Sequence, residues 1–172
     1  IYIMNVIIDF FADVPLVFRT SILLGGIVLF WILEGIIPLY SFNYKKGRHA
    51  FLNLLFTTTT AIIGFGFAFL LLKSTEIVNE FQFGVIHFFE LPLFVEVIIS
   101  LLILDLVGAY LVHFVEHKVP WMWKFHVIHH SDKNVDVTTG LRHHPGETVF
   151  RILFTILGVY VSGASIGIVT VS

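Results

Sequence analysis

The sequence predicts an all-α fold: a polytopic membrane helical bundle of three spans plus a helical hairpin, with a cytosol-facing, histidine-rich metal site. Three observations predict it. Of the 172 residues 57% are hydrophobic and 13% charged, and mean hydropathy is +0.93. That is too little polar surface to coat a soluble fold of this size. Apolar stretches recur at about the 20-residue length a bilayer core demands. Seven of the nine histidines fall between His113 and His144, at spacings that place imidazoles on shared helix faces.

The same composition excludes other classes. A net charge of -2 and a pI near 6.5 provide no field for a nucleic-acid partner. The absence of cysteine excludes disulfides, thiolate haem ligation, cysteine-ligated iron–sulfur clusters and cysteine nucleophiles within these residues. The chain opens at Ile1 and stops at Ser172 inside an apolar run. Residues 1–172 are therefore expected to be a single membrane domain, incomplete at the C-terminus.

The elements follow in order. Residues 20–40 are the first span, with Glu34 as their only charge. A polar break over 41–49 holds Lys45, Lys46 and Arg48. The second span is 50–72, in which the hydroxyls of Thr57 to Thr60 can bond to carbonyls one turn back. Residues 73–90 mix charge with Phe81, Phe83, Phe88 and Phe89 and read as an amphipathic segment at the interface, with His87 an interfacial histidine. The third span, 91–112, contains Glu96 and Asp105. Glu34 and Glu96 are expected to face the bundle interior. Residues 113–147 form the His-box region, bordered by Trp121 and Trp123, whose indoles suit a headgroup-level belt. Residues 148–172 read as a hairpin turning near Gly163.

Charge sets the orientation. After three spans, 41–49 and 113–147 share a side. That side has Lys45, Lys46, Arg48, Lys118, Lys124, Lys133 and Arg142, with Arg151 just beyond, against Arg19 and Lys73 opposite. The basic side is the cytoplasmic one.

The histidines fall into three groups. His113 and His117 are i, i+4, the spacing by which a helix offers two imidazoles to one metal. His126, His129 and His130 are i, i+3, i+4. His144 precedes Pro145, a residue suited to the first helical position, and is expected to reach back toward the metal. One such pair is weak; two boxes nine residues apart at a membrane surface point to metal. Five or six imidazoles exceed the ligand set of one zinc and imply two ions. Imidazole suits Fe, Zn, Cu and Ni alike, so ligand type leaves the metal open. Position 114 is Phe, so the HExxH motif of zinc hydrolases is absent.

The carboxylates surround these boxes. Asp105, two turns before His113, reads either as an acceptor orienting a ligand imidazole or as a protonated or lipid-interface carboxyl. Glu116 is expected off the face shared by His113 and His117. Asp132 reads as a solvated loop residue, and Asp136 as a cap or a partner of the second box. Arg142 and Glu147 are expected to pair and pin the turn between them.

The stretch Trp123, Lys124, Phe125, His126, Val127, Ile128, His129, His130, Ser131, Asp132, followed by Asp136 to Glu147 with Arg142, His144, Pro145 and Glu147, resembles the fatty acid hydroxylase / sterol desaturase superfamily of membrane histidine-box di-iron oxygenases. The resemblance runs over about residues 45–170 and is most specific over 105–147; Arg48, His49 and Asn53 are a weaker mark. It implies a di-metal centre, normally iron, on His113, His117, His126, His129, His130 and His144, with a later third box that these residues lack. Phe114 replaces the family's usual arginine, and His143 stands where another residue is commoner. What it implies is O2-dependent hydroxylation or desaturation of a membrane lipid by the full-length parent, with electrons from an external NAD(P)H-linked carrier protein. The fragment alone is expected to be inactive. Two alternatives compete: a membrane zinc protein, and a non-catalytic member of the family.

Overall fold

The computed structural model describes residues 15–38 and 44–170, and among them there are helices and no strand. Helix α1 is Leu16–Ile36 and α2 is Lys46–Glu80. A 3-10 turn, Val85–Phe88, leads to α3, Leu93–Leu104, which runs without a break through a π-helical stretch, Asp105–Leu111, into α4, Val112–Lys118. Helix α5 is Pro120–His130, a second 3-10 turn is Val137–Leu141, α6 is Pro145–Ser162 and α7 is Ile166–Val169. Residues 39–43, within the expected end of the first span and the polar break, lie outside the described residues.

Two helical segments are long and apolar enough to cross a membrane, Lys46–Phe88 and Leu93–Lys118; Thr20–Ile36 is a shorter apolar helix. The outward residues of α2 include Phe65 at 85% exposure and Phe69 at 70%. An apolar surface this continuous calls for lipid around it. The threonines of α2 bond back as their sequence suggests, Thr57 to Asn53 O, Thr58 to Leu54 O, Thr59 to Phe56 O and Thr60 to Thr57 O.

Two boundaries differ from expectation. The region 73–90 is not a separate interfacial segment: α2 continues through it to Glu80. Ser74, Thr75 and Val78 are buried there, while Phe81, Phe83, Phe88 and Phe89 are exposed. The third span does not stop at Val112 but carries the first histidine box on the same rod, to Lys118.

The core lies where α2, α3, α6 and α7 meet, around Val78, Leu104, Val159, Ala164 and Ile168. Helix α6 ends at Gly163, whose left-handed φ of 87° only glycine adopts without strain. Gly84, with φ 112°, lies against it; a Cβ on Gly84 would stand 2.3 Å from Gly163 N. The turn after α2 and the end of α6 thus touch backbone to backbone.

Candidate metal centre

The centre is built at a reversal of the chain. Helix α4 stops because Val119, preceding Pro120, takes an extended conformation (φ -96°, ψ 112°). Pro120 then starts α5 at its first position, where the missing N–H costs nothing. Helices α4 and α5 pack against each other, and the last turn of one faces the last turns of the other.

This reversal brings the first two boxes together. The ligand nitrogens of His113, His117, His126 and His130 all lie within 4.8 Å of one another. Ring centroids are 4.7 Å apart for His113–His117, 4.6 Å for His113–His126 and 4.8 Å for both His117–His130 and His126–His130. His126 Nε2 and His130 Nε2 are 3.0 Å apart. Two nitrogens on one tetrahedral ion at about 2.1 Å stand about 3.4 Å from each other, so a small contraction or relaxation of this cage admits an ion. Trp123 covers one side, stacked on His130 at 5.5 Å and tilted on His117 at 5.1 Å. The His117 side is open, and an adjoining pocket of about 320 Å³ is lined by His117, Lys118, Pro120 and Trp123.

Behind His126 stands an acidic wall. Glu116, His126 and Glu147 are all fully buried, and their ligand atoms form a second group within 4.8 Å. His126 Nδ1 donates to Glu147 Oε1 at 3.2 Å, which fixes the tautomer and leaves Nε2 facing the cage. Burial, partly offset by that bond, lowers the His126 imidazole to about 4, so the ring stays neutral and able to ligate. Glu147 also accepts from His143 Nδ1 at 3.0 Å and Arg151 Nε at 2.8 Å. Burial works against its charge, but the His143 bond and the Arg151 guanidinium hold the carboxyl down at about 2. Glu116, expected off the face shared by His113 and His117, lies 3.4 Å from His126 Nδ1.

The remaining expected residues are placed as follows. His129 is not within the four-nitrogen group; it stacks on His143 at 4.8 Å with its Nδ1 buried and unbonded. His144 does not reach back to the cage: as N-cap of α6, its Nδ1 accepts from Gly146 N at 2.9 Å. It lines instead an apolar groove of about 410 Å³ with Leu52, Leu55, Phe56, Thr59 and Pro145. Asp105 is exposed at the start of the π-helical stretch. Arg142 does not pair with Glu147; it donates to Ile128 O and Asn53 Oδ1 while Arg151 takes the carboxylate. The ladder His143, Glu147, Arg151, each four residues apart, was the available sequence signal for that pairing.

A second polar cluster was not foreseen. His49, on α2, sits between two aspartates, Nε2 2.8 Å from Asp132 and Nδ1 3.0 Å from Asp136. Asp136 also accepts from Tyr44 O–H at 2.8 Å and from Thr138 N–H and O–H at 2.8 and 2.6 Å. Asp132 accepts from Thr139 O–H at 2.7 Å, so it is not the solvated loop residue expected. Burial opposes both carboxylates, but these donors hold them below the usual range; burial and Asp136 push the Tyr44 phenol up. Asn53 Nδ2 donates to Thr138 Oγ1, and Glu34 Oε2 accepts from Val137 N and pairs with Lys46. The loop between the second box and α6 is thus latched onto α1 and α2.

Comparison with known proteins points the same way over the second half of the chain. Residues 97–172 match the family model Fatty acid hydroxylase, a stretch that holds both boxes and the acidic wall. Over that stretch the chain is similar to the fatty acid hydroxylase family. Over 164 residues it is 24% identical to ornithine lipid hydroxylase OlsE of Rhizobium tropici, covering 90% of this chain and 48% of that protein. The chain therefore spans about half the length of the curated relative it matches. No solved structure matches it.

Proposed function

We propose that this fatty acid hydroxylase domain is part of a membrane enzyme that carries out O2-dependent hydroxylation of a lipid, at a di-iron centre begun by the four-imidazole cage. The observation that carries the reading is the convergence of His113, His117, His126 and His130 at the end of a membrane-length helix. The donor set fits iron: four imidazoles, one of them oriented from behind by a carboxylate. Bound reduced iron would supply O2 activation, the one means of attacking an unactivated C–H bond that acid–base groups lack.

The chain's own residues contribute position and exclusion. Glu147 holds His126 in its ligating tautomer. Trp123 packs on the rings of His117 and His130 and helps hold their orientation. The open side at His117, with Lys118 at its rim, is the approach for a lipid chain rising from the bilayer, the polar headgroup staying outside. Membrane association accords with the apolar helices and the family. Three spans, a cytoplasmic site and an external NAD(P)H-linked electron carrier complete the reading. Desaturation is the sister outcome of the same hydrogen abstraction.

A closed set of four ligands is also what structural zinc takes, and one experiment separates the two. Full-length protein reconstituted anaerobically with ferrous iron in lipid nanodiscs, then given O2 and reductant, is expected to yield hydroxylated lipid by mass spectrometry. Tight zinc retention with no O2-dependent product would replace the oxygenase reading with the structural one.

A further inference from the structure

Helix α2 and the start of α6 enclose an apolar groove that the metal centre does not use. Its volume is about 410 Å³, within the range of small-ligand sites. Leu52, Leu55, Phe56 and Thr59 form one wall, at the i, i+3, i+4, i+7 spacing of a single helix face. His144 and Pro145 form the other. Thr59 Oγ1 is turned to Phe56 O at 2.7 Å and His144 Nδ1 to Gly146 N at 2.9 Å, so the walls present mainly carbon. The Arg142 guanidinium lies 5.7 Å from the centroid of the Phe56 ring and backs that wall. Leu52 and Leu55 are nearly half exposed, so the groove opens to the surroundings of a membrane-length segment. One turn before Leu52, on the same face, stands Arg48. It is exposed, and among the described residues it has no ion pair and no side-chain hydrogen bond. Lys46, by contrast, is held by Glu34 and Trp31 O. The unpaired cation starts about 6 Å beyond the end of the groove, and its side chain leans further toward the helix N-terminus.

We propose that this groove binds one acyl chain of an anionic phospholipid, with Arg48 taking the headgroup phosphate. The occupant follows from the two ends of the site. Carbon walls on a membrane-length helix suit a hydrocarbon chain. A guanidinium in line with them suits phosphate, which its fork can hold through two parallel N–H···O bonds. A bilayer lipid carries both parts in one molecule, and anionic headgroups collect at the basic flank of a span. A zwitterionic lipid has the same chain and phosphate but brings its own cation, which competes with Arg48. The inference goes beyond the oxygenase reading and does not need it; it requires only that the apolar helices lie in a bilayer. The groove shares no residue with the four-imidazole cage. A lipid held there fastens α2 to the start of α6 from the outside.

The test is lipid retention. Full-length protein, delipidated in detergent, is offered phosphatidylglycerol or phosphatidylcholine of identical chains and measured by native mass spectrometry. One phosphatidylglycerol per chain is expected to stay bound at a concentration where phosphatidylcholine leaves most of the protein bare. Arg48→Gln should weaken phosphatidylglycerol by about 10-fold or more, to the level of phosphatidylcholine. Leu55→Trp fills the groove and should remove the bound lipid; Thr59→Phe blocks its other end and serves if Leu55→Trp does not fold. Equal retention of the two lipids by the wild type overturns the proposal, as does retention unchanged in Arg48→Gln or in the groove-filling variants. Glycerol 3-phosphate, which has the phosphate without the chains, is expected not to bind; binding that survives Leu55→Trp overturns the lipid in favour of free phosphate. A lipid-free dimer broken by Leu55→Trp overturns it in favour of a second copy of the chain. Iron and hydroxylated product are measured on the same samples. Lipid selectivity without iron sinks the oxygenase reading and leaves this one standing; iron and product without lipid selectivity do the reverse.

Discussion

The two polar regions of this molecule are built from the same residue types and differ in how they are satisfied. Around His49, each carboxylate oxygen meets a donor: Tyr44, Thr138, Thr139, Asn134 and the ring itself. Around His126, Glu116 Oε1 and Oε2, Glu147 Oε2 and His129 Nδ1 are buried with none. Full satisfaction makes a rigid fastening with no coordination left for an ion. Missing partners mark a place that another species completes. Histidine count alone would not have told them apart; the disposition of their acceptors does.

The largest expected effect that tests this contrast is at the cage. His130→Ala should abolish lipid hydroxylation and remove one bound ion, while the metal-free protein melts close to wild type, since the ring is exposed on one side. Asp136→Ala should do the reverse. It strips His49 and Tyr44 of their acceptor and is expected to cost about 3–5 kcal/mol in denaturant unfolding, with iron per folded chain unchanged. If Asp136→Ala also empties the cage, the two regions are one unit and the contrast fails.

Acid should separate them in order. The His126 ring, lowered to about 4 from 6.5, refuses in the folded state a proton that the unfolded chain accepts. Stability of the metal-free protein is therefore level above pH 6.5 and falls as pH drops from there toward 4. Asp132 and Asp136 are depressed in the folded state. Their contribution is complete above the ordinary carboxylate range and fades only as pH falls beneath it. A pH series of melting curves should show the first loss suppressed in a His126→Asn variant and the second in Asp136→Asn. The smallest effect is Asn53→Ala, which removes one hydrogen bond to Thr138 and one from Arg142. It should cost about 1–2 kcal/mol with no change in iron.

The parts legible in the sequence were those set by local period. Helical spacing grouped His113 with His117 and His126 with His130, and apolar length marked α2 and the rod that carries the first box. What was not legible depends on phase and on distant partners. The π-helical stretch Asp105–Leu111 was announced by no residue pattern, and Asp105 at its start is exposed. His144 was assigned by its motif to the metal but is held by the N-terminus of α6. Asp132 looked like a solvated loop residue because its partner, His49, lies 83 positions away; Asp136 caps the 3-10 turn Val137–Leu141, one of its expected roles, but its contact with His49, 87 positions away, was not legible. Glu116 was read from one helix alone, and its closeness to His126 comes from a second.

The turn at Val119 and Pro120 has one more consequence. The four cage imidazoles lie within the stretch from His113 to His130, closed by a single tight reversal, whereas the His49 fastening must join segments 83 and 87 residues apart. Short loops close cheaply and early. During synthesis the ion-holding hairpin can take shape as a self-contained seed, and the long-range clasp then seals a centre already in place.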